Sequence, residues 1–135
     1  MFESKKINPD TVAFPPCSFS NGILVPLGDA NIVFVSGQVA KDADNEVLFP
    51  NDAAEQARIV FSHIGEVLKD AGMTLDNVVE AQIFLTDMDD APKVSAIRDR
   101  VFENNKPAST MVEVSRLAKP GWCVEIEVVA IKRNT

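Results

Sequence analysis

Histidine is almost missing from this chain: His63 is the only one in 135 residues. A single histidine rules out a paired imidazole acid and base, and no nearby motif supplies it with a partner. It sits beside the apolar stripe of a helix, a surface or boundary position. Cysteine is nearly as scarce: Cys17 and Cys123 lie far apart, with neither metal-ligand spacing nor a CxxC pair. They read as free thiols of a reducing compartment, and the chain reads as cytoplasmic. No apolar run is long enough to span a bilayer, and the opening MFESKKINPD lacks the apolar stretch of a signal peptide. Positive charge is also short, with 13 Lys and Arg against 20 Asp and Glu, a formal net charge of −7. A polyanion or an anionic membrane is therefore not an expected partner. No internal repeat and no linker interrupts the sequence, so residues 1–135 are expected to fold as one domain.

What is present is an ordinary globular composition, 46% hydrophobic and 24% charged, in a chain long enough to bury a core. Its most informative stretch is 107–133, PASTMVEVSRLAKPGWCVEIEVVAIKR. Two β-type runs, Thr110–Ser115 and Cys123–Ile131, flank a turn carrying Pro120 and Gly121. Side chains alternate along a strand, so Ser109, Met111, Glu113 and Ser115 share one face and Thr110, Val112 and Val114 the other. In the second run Val124, Ile126, Val128 and Ala130 form an unbroken apolar face. The reverse face holds Cys123, Glu125, Glu127, Val129 and Ile131. Two carboxylates there mark either an edge or solvent-facing side, or a polar pocket built on a sheet.

The rest of the chain reads in order. Residues 1–16, with Pro9, Pro15 and Pro16, are expected to run extended over the surface. Phe19–Leu27 and Asn31–Val39 flank Gly28-Asp29-Ala30 as a hairpin, and Pro26 favours an edge position for its first strand. In the second, Val33, Val35 and Val39 alternate with Ile32, Phe34, Ser36 and Gln38. Residues 41–51 are charged and turn-rich, with 47–49 as a short strand. Asp52 and Glu55 have capping-box spacing before a helix whose stripe is Ala53, Ala57, Val60, Phe61, Ile64, Val67, Leu68 and Ala71, stopped by Gly72. Val78–Thr86 is a strand, with Val79, Ala81, Ile83 and Leu85 alternating with Glu80, Gln82 and Phe84. Asp87, Asp89 and Asp90 precede Ala91-Pro92, a helix start whose carboxylates suit the dipole better than they suit a metal. Val94, Ile97, Val101 and Phe102 form the stripe of that second helix. This order fits an α+β fold with two helices on one face of a mixed, mainly antiparallel sheet.

Six segments together resemble the RidA (YjgF-like) family of reactive-intermediate deaminases. They are VFVSGQV (33–39), AAEQAR (53–58), VLKDAG (67–72), LDNVVEAQIFLTDMDD (75–90), PASTMVEVSRL (107–117) and VEIEVVAIKR (124–133). The resemblance implies a chorismate-mutase-like fold and a homotrimer whose small-metabolite sites lie in clefts between subunits. No metal and no cofactor is expected. Glu125 matches the glutamate associated with the pocket water and Ser36 the serine of the SGQ segment.

Departures from the family pattern fall on the remaining pocket positions. Imine-hydrolysing members carry an arginine where this chain has Ser109, and often a cysteine where it has Met111. Phe19 stands for the usual tyrosine, Ser95 for a common asparagine, and the hairpin between Phe19 and Ser36 looks longer. Loss of a bidentate guanidinium–carboxylate contact costs on the order of 2–5 kcal/mol when the carboxylate is buried. Arg116, by alternation on the face opposite Ser109, is not expected to replace it. Two function classes follow: a divergent deaminase of a small enamine or imine, and a trimeric binding protein without turnover. A third, RNA cleavage, is disfavoured by the acidic balance and the lack of a histidine pair.

Overall fold

The computed structural model describes residues 3–134. In chain order the elements are β1 (Lys5–Ile7), β2 (Gly22–Leu27), β3 (Ala30–Gln38), α1 (Ala53–Asp70), β4 (Val78–Leu85), α2 (Ala91–Val101), β5 (Ala108–Glu113) and β6 (Val124–Arg133). The six strands form one sheet in the order β1-β2-β3-β6-β4-β5. Every neighbouring pair is antiparallel except β4 and β5, which α2 joins as a parallel pair. The expected α+β architecture is borne out. Both helices cover the same face, and the Phe61 and Phe102 rings bind α1 to α2 edge to face at 5.5 Å. Under them Val33, Val35, Ala81, Ile83, Leu85, Val124, Ile126 and Val128 join the helix stripes in one core. No helix among the described residues is long and apolar enough to cross a membrane.

α1 starts and stops as its sequence directs. Asp52 Oδ1 accepts the Glu55 N–H, although Glu55 turns to Arg58 instead of returning to the cap. At the other end Gly72 takes φ +75°, and its N–H donates to Lys69 O while Met73 N–H donates to Leu68 O. That pair of bonds satisfies two carbonyls left open by the last turn.

Several local expectations need correction. The N-terminal segment is not merely draped on the surface: Lys5–Ile7 adds a sixth strand, with Ile7 fully buried. Met1 and Phe2 lie outside the described residues. β2 is consequently not an edge strand, yet its pairing with β1 reaches only Leu24, so Pro26 lies where β2 has no neighbour on that side. Residues 47–49 form no strand beyond one bridge between Lys41 and Val47. Val79 is exposed, because a register shift between Val78 and Glu80 turns it out of the face it was expected to share with Ala81. The two runs around Pro120–Gly121, whose pairing the sequence left open, are separated in the sheet by β4. β5 begins at Ala108 and ends at Glu113, so Arg116 lies past the strand, where alternation does not apply.

Gln56 fixes how these parts meet. It is fully buried in α1, and its Nε2 lies 2.8–3.1 Å from the carbonyl oxygens of Leu48, Phe49 and Gly121. Its Oε1 accepts from the Cys123 N–H at 2.9 Å and from Cys123 Sγ at 3.3 Å. Cys123, expected on the polar face of the last strand, is buried instead, and burial pushes its thiol up to about 11. Gln56→Leu keeps the bulk but strands Leu48 O and the Cys123 N–H, while Phe49 O and Gly121 O keep the Asp52 and Asn51 N–H groups, and should cost about 3 kcal/mol in urea unfolding. A loss below about 1 kcal/mol would show that water replaces the amide there.

Candidate functional site

β6 is a central strand, so its carboxylates do not sit on a sheet edge. Val124, Ile126, Val128 and Ala130 turn under the helices and are buried. Glu125 and Glu127 therefore project from the open face, opposite Phe84 and Gln82 of β4. Along that face the surface divides. One part is apolar, with Ile23, Phe34, Val129 and Ile131 in register across β2, β3 and β6, and Phe34 and Ile131 exposed. The other is acidic, with Glu80, Glu125 and Glu127. A hollow of about 280 Å³ that includes Ser36, Phe34, Glu80 and Glu127 lies between them.

The carboxylate of Glu125 lies against the backbone at Gly37. A Cβ placed at Gly37 would fall 2.5 Å from Glu125 Oε2, so only glycine leaves that position free. Gly37 is within the register irregularity between Val35 and Gln38 of β3, which also turns Gln38 inward. Burial, and then the neighbouring Glu127, raise the proton affinity of Glu125; the cation of Lys41 opposes them. Lys41 is only 7% exposed, and burial pushes its amine down against the attraction of Glu125. Its Nζ is 3.5 Å from Asn21 Oδ1, which also accepts from Gln38 Nε2. Asn21, Gln38 and Lys41 thus form a buried polar cluster, in which Gln38 Oε1 has no partner among the described residues.

Sequence reasoning missed this cluster. Lys41 begins a run, KDADNE, that reads as a solvated turn, and nothing in it signals burial. Gly37 was within the recognised SGQ segment, but its contact with Glu125 depends on the irregularity in β3.

The remaining candidate residues fall in two groups. Ser36 and Phe19 lie together: Ser36 Oγ donates to Ser20 O at 2.6 Å, and the Phe19 ring is exposed. Ser109 and Met111 belong elsewhere. They pair in parallel register with Ala81 and Ile83, whose side chains face the helices. Met111 packs against the core from that side, while Ser109 is exposed in a hollow beside α2. Ser95 is half-buried on α2. Within one chain, then, Glu125 and the Ser109–Met111 pair occupy opposite faces of the sheet. His63 is half-buried as expected, with Nε2 3.1 Å from Lys41 O, and burial lowers its proton affinity. Among the described residues no group of three or more His, Cys, Asp or Glu could hold a metal ion.

Comparison with known proteins gives concordant results. The profile of a family described as Endoribonuclease L-PSP matches residues 16–132. A 2-iminobutanoate/2-iminopropanoate deaminase of Rattus norvegicus is 34% identical over 115 residues, which cover 85% of this chain and 80% of that protein. A RutC family protein of Pyrococcus abyssi is 35% identical over 102 residues, covering 76% of this chain and 80% of that one. The crystal structure of YyfA from Yersinia pestis, a Rid-family protein of unknown function, matches with a TM-score of 0.84 at 32% identity. It covers 95% of this chain and 98% of its own. RidA from an Antarctic Psychrobacter matches with a TM-score of 0.80 at 28% identity, covering 93% and 98%.

The raised proton affinity of Glu125 has a consequence for stability. The folded protein holds this proton more tightly than the unfolded chain, so ionising the group opposes folding. That contribution is absent below the ordinary carboxylate range and lowers stability as pH rises through the raised value. Glu125→Gln should therefore melt above the parent at pH 8, by on the order of 2 °C, with the gap closing at pH 4. Equal melting at both values would mean that the carboxylate is fully solvated.

Proposed function

The chain belongs to the Endoribonuclease L-PSP family, the RidA/YjgF group, and on that footing we propose that it deaminates a small enamine or imine by hydrolysis. The observation that carries the reading is Glu125, a carboxylate raised from a central strand and held against Gly37. Imine hydrolysis needs water added to the C=N carbon, a proton delivered to nitrogen, and ammonia expelled from the resulting carbinolamine. An enamine must first gain a proton at carbon. A carboxylate whose proton affinity burial has raised is a better base for that water than an ordinary one, and can return the proton to nitrogen. Ser36 lies on the same open side, but its hydroxyl proton is engaged by Ser20 O, leaving its oxygen as an acceptor.

The proposed site is completed by a second copy of the chain. Glu125 and Ser36 come from the open face, whereas Ser109, Met111 and Ser95 lie on the helix side, so one copy does not bring them into one cleft. The homotrimer implied by the resemblance would do so by laying the β5–α2 side of one subunit against the open face of the next. Exposed Phe34, Val112 and Ile131 on that open face are the apolar surface such an assembly would cover. Light scattering through a micromolar dilution series should give a trimer. A persistent monomer would remove the shared cleft.

Substrate range is expected to differ from that of arginine-bearing relatives, because Ser109 has no guanidinium to offer a carboxylate. 2-Iminopropanoate, generated in situ from alanine by an amino-acid oxidase, should be hydrolysed with kcat/KM at least ~10-fold below such a relative. Glu125→Gln should abolish the turnover that is present. Gly37→Ala should reduce it strongly in a folded protein, since the added methyl displaces the carboxylate. Full activity in Glu125→Gln would overturn the hydrolase reading and leave a binding protein.

A further inference from the structure

The hollow beside Ser109 contains cations that the chemistry above leaves unused. It has a volume of about 600 Å³ and is lined by Arg98, Asp99, Phe102, Glu103, Lys106 and Ser109 among others. Phe102, 3% exposed, gives it an apolar wall from the end of α2. Arg98 lies one helical turn after Ser95, and its side chain is only 25% exposed. Its Nε and Nη2 both donate to Asp99 Oδ1 at 3.1 Å. Lys106, in the turn that leads into β5, lines the same hollow.

We propose that Arg98, supported by Lys106, is the specificity-determining anchor for a substrate carboxylate, gripping it from α2 where β5 offers only Ser109. This rests on the deaminase reading and deepens it by naming the anionic class, a 2-imino or 2-oxo acid whose carboxylate points toward α2. The guanidinium is suited to the task because it presents paired N–H donors in a plane. Its present partner is a weak competitor. Asp99 is the adjacent residue, 68% exposed, and such solvated pairs contribute little. A ligand carboxylate offers the guanidinium two oxygens in place of the single Asp99 Oδ1, with Lys106 lining the same hollow. Asp99 and Glu103 balance the two cations, which keeps the hollow from collecting anions at large. Binding should be weak and selective for a single carboxylate.

The test compares the full-length parent with Arg98→Gln, Arg98→Lys and Lys106→Gln, each shown to fold by circular dichroism and to share the parent's oligomeric state. Pyruvate is titrated by NMR, and hydrolysis is followed on 2-iminopropanoate and on a ketone imine that has no carboxylate. Arg98→Gln should weaken pyruvate binding and raise KM for 2-iminopropanoate by about 10-fold, with kcat within about twofold. The uncharged imine should be unaffected. Lys106→Gln should have a smaller effect in the same direction, and Arg98→Lys should recover part of the affinity but not all of it. Unchanged pyruvate affinity and KM in Arg98→Gln would overturn the anchor, even if Glu125-dependent turnover persists. Conversely, Arg98-dependent pyruvate binding with no hydrolysis of either imine would uphold the anchor and refute the deaminase reading.

Discussion

A buried glutamine amide holds the two halves of this fold in register. Gln56 enters the core from the first turn of α1 and closes bonds to the loop before the helix, to Gly121, and to the backbone at Cys123. Phe49 O and Gly121 O also accept from the Asp52 and Asn51 N–H groups, so the bonds that only Gln56 supplies are those to Leu48 O and the Cys123 N–H, and leaving these unmade costs more than the bonds themselves contribute. The last of them is the one that matters for the site, because Cys123 immediately precedes β6. A strand displaced by one residue exchanges its two faces, which here would bury Glu125 and expose Ile126. Pinning the strand at its first residue therefore determines which side of the sheet carries the acid.

Two irregularities then shape what that side looks like. The register shift in β3 places Gly37 beneath Glu125 and sends Gln38 into the interior. The shift in β4 exposes Val79 and leaves Glu80 on the open face near Glu127. Regular pairing in β3 would have continued the alternation through Ser36 and Gln38. The carboxylate would then have met a side chain where it now meets a bare backbone. Its elevated proton affinity follows from being partly withdrawn from water and close to Glu127, with the buried Lys41 as a counterweight.

Much of this was legible from residue pattern. The apolar faces of β4 and β6, the stripe and cap of α1, and the proline start of α2 all follow from local rules, and together they define the α+β class. β1 was not legible, because three residues of KKI before a proline-rich segment carry no alternation; they are a strand only because β2 offers its edge. The burial of Lys41 escaped for a similar reason. Its cost is offset by Asn21 and by the field of Glu125, neither of which is close in sequence. Alternation grouped Ser109 with Met111 correctly, but said nothing about which face of the sheet they share. That required the pairing of β5 with β4, and strand order across a crossover helix is not encoded in either strand alone.

β5 lies at the sheet edge, and it is there that the resemblance implies an arginine where this chain has Ser109. An edge strand on the helix side has α2 as its immediate neighbour, so a cation can be supplied to the same hollow from two backbones. On β5 it would project from a strand held by six consecutive pairings with β4. On α2 it projects from a helix end, where Arg98 also completes a pair with Asp99 and loses little when it leaves that pair. In the proposed site a helix-borne anchor would draw the ligand's charged end toward α2 of one copy, while its reacting end meets the open face of the next. Moving the cation while retaining Glu125 changes which molecules fit without altering what the acid does to water. In the proposed site, substrate choice is set on the helix side of one copy and bond chemistry on the open face of the next, and the first can drift while the second stays fixed by Gln56 and Gly37.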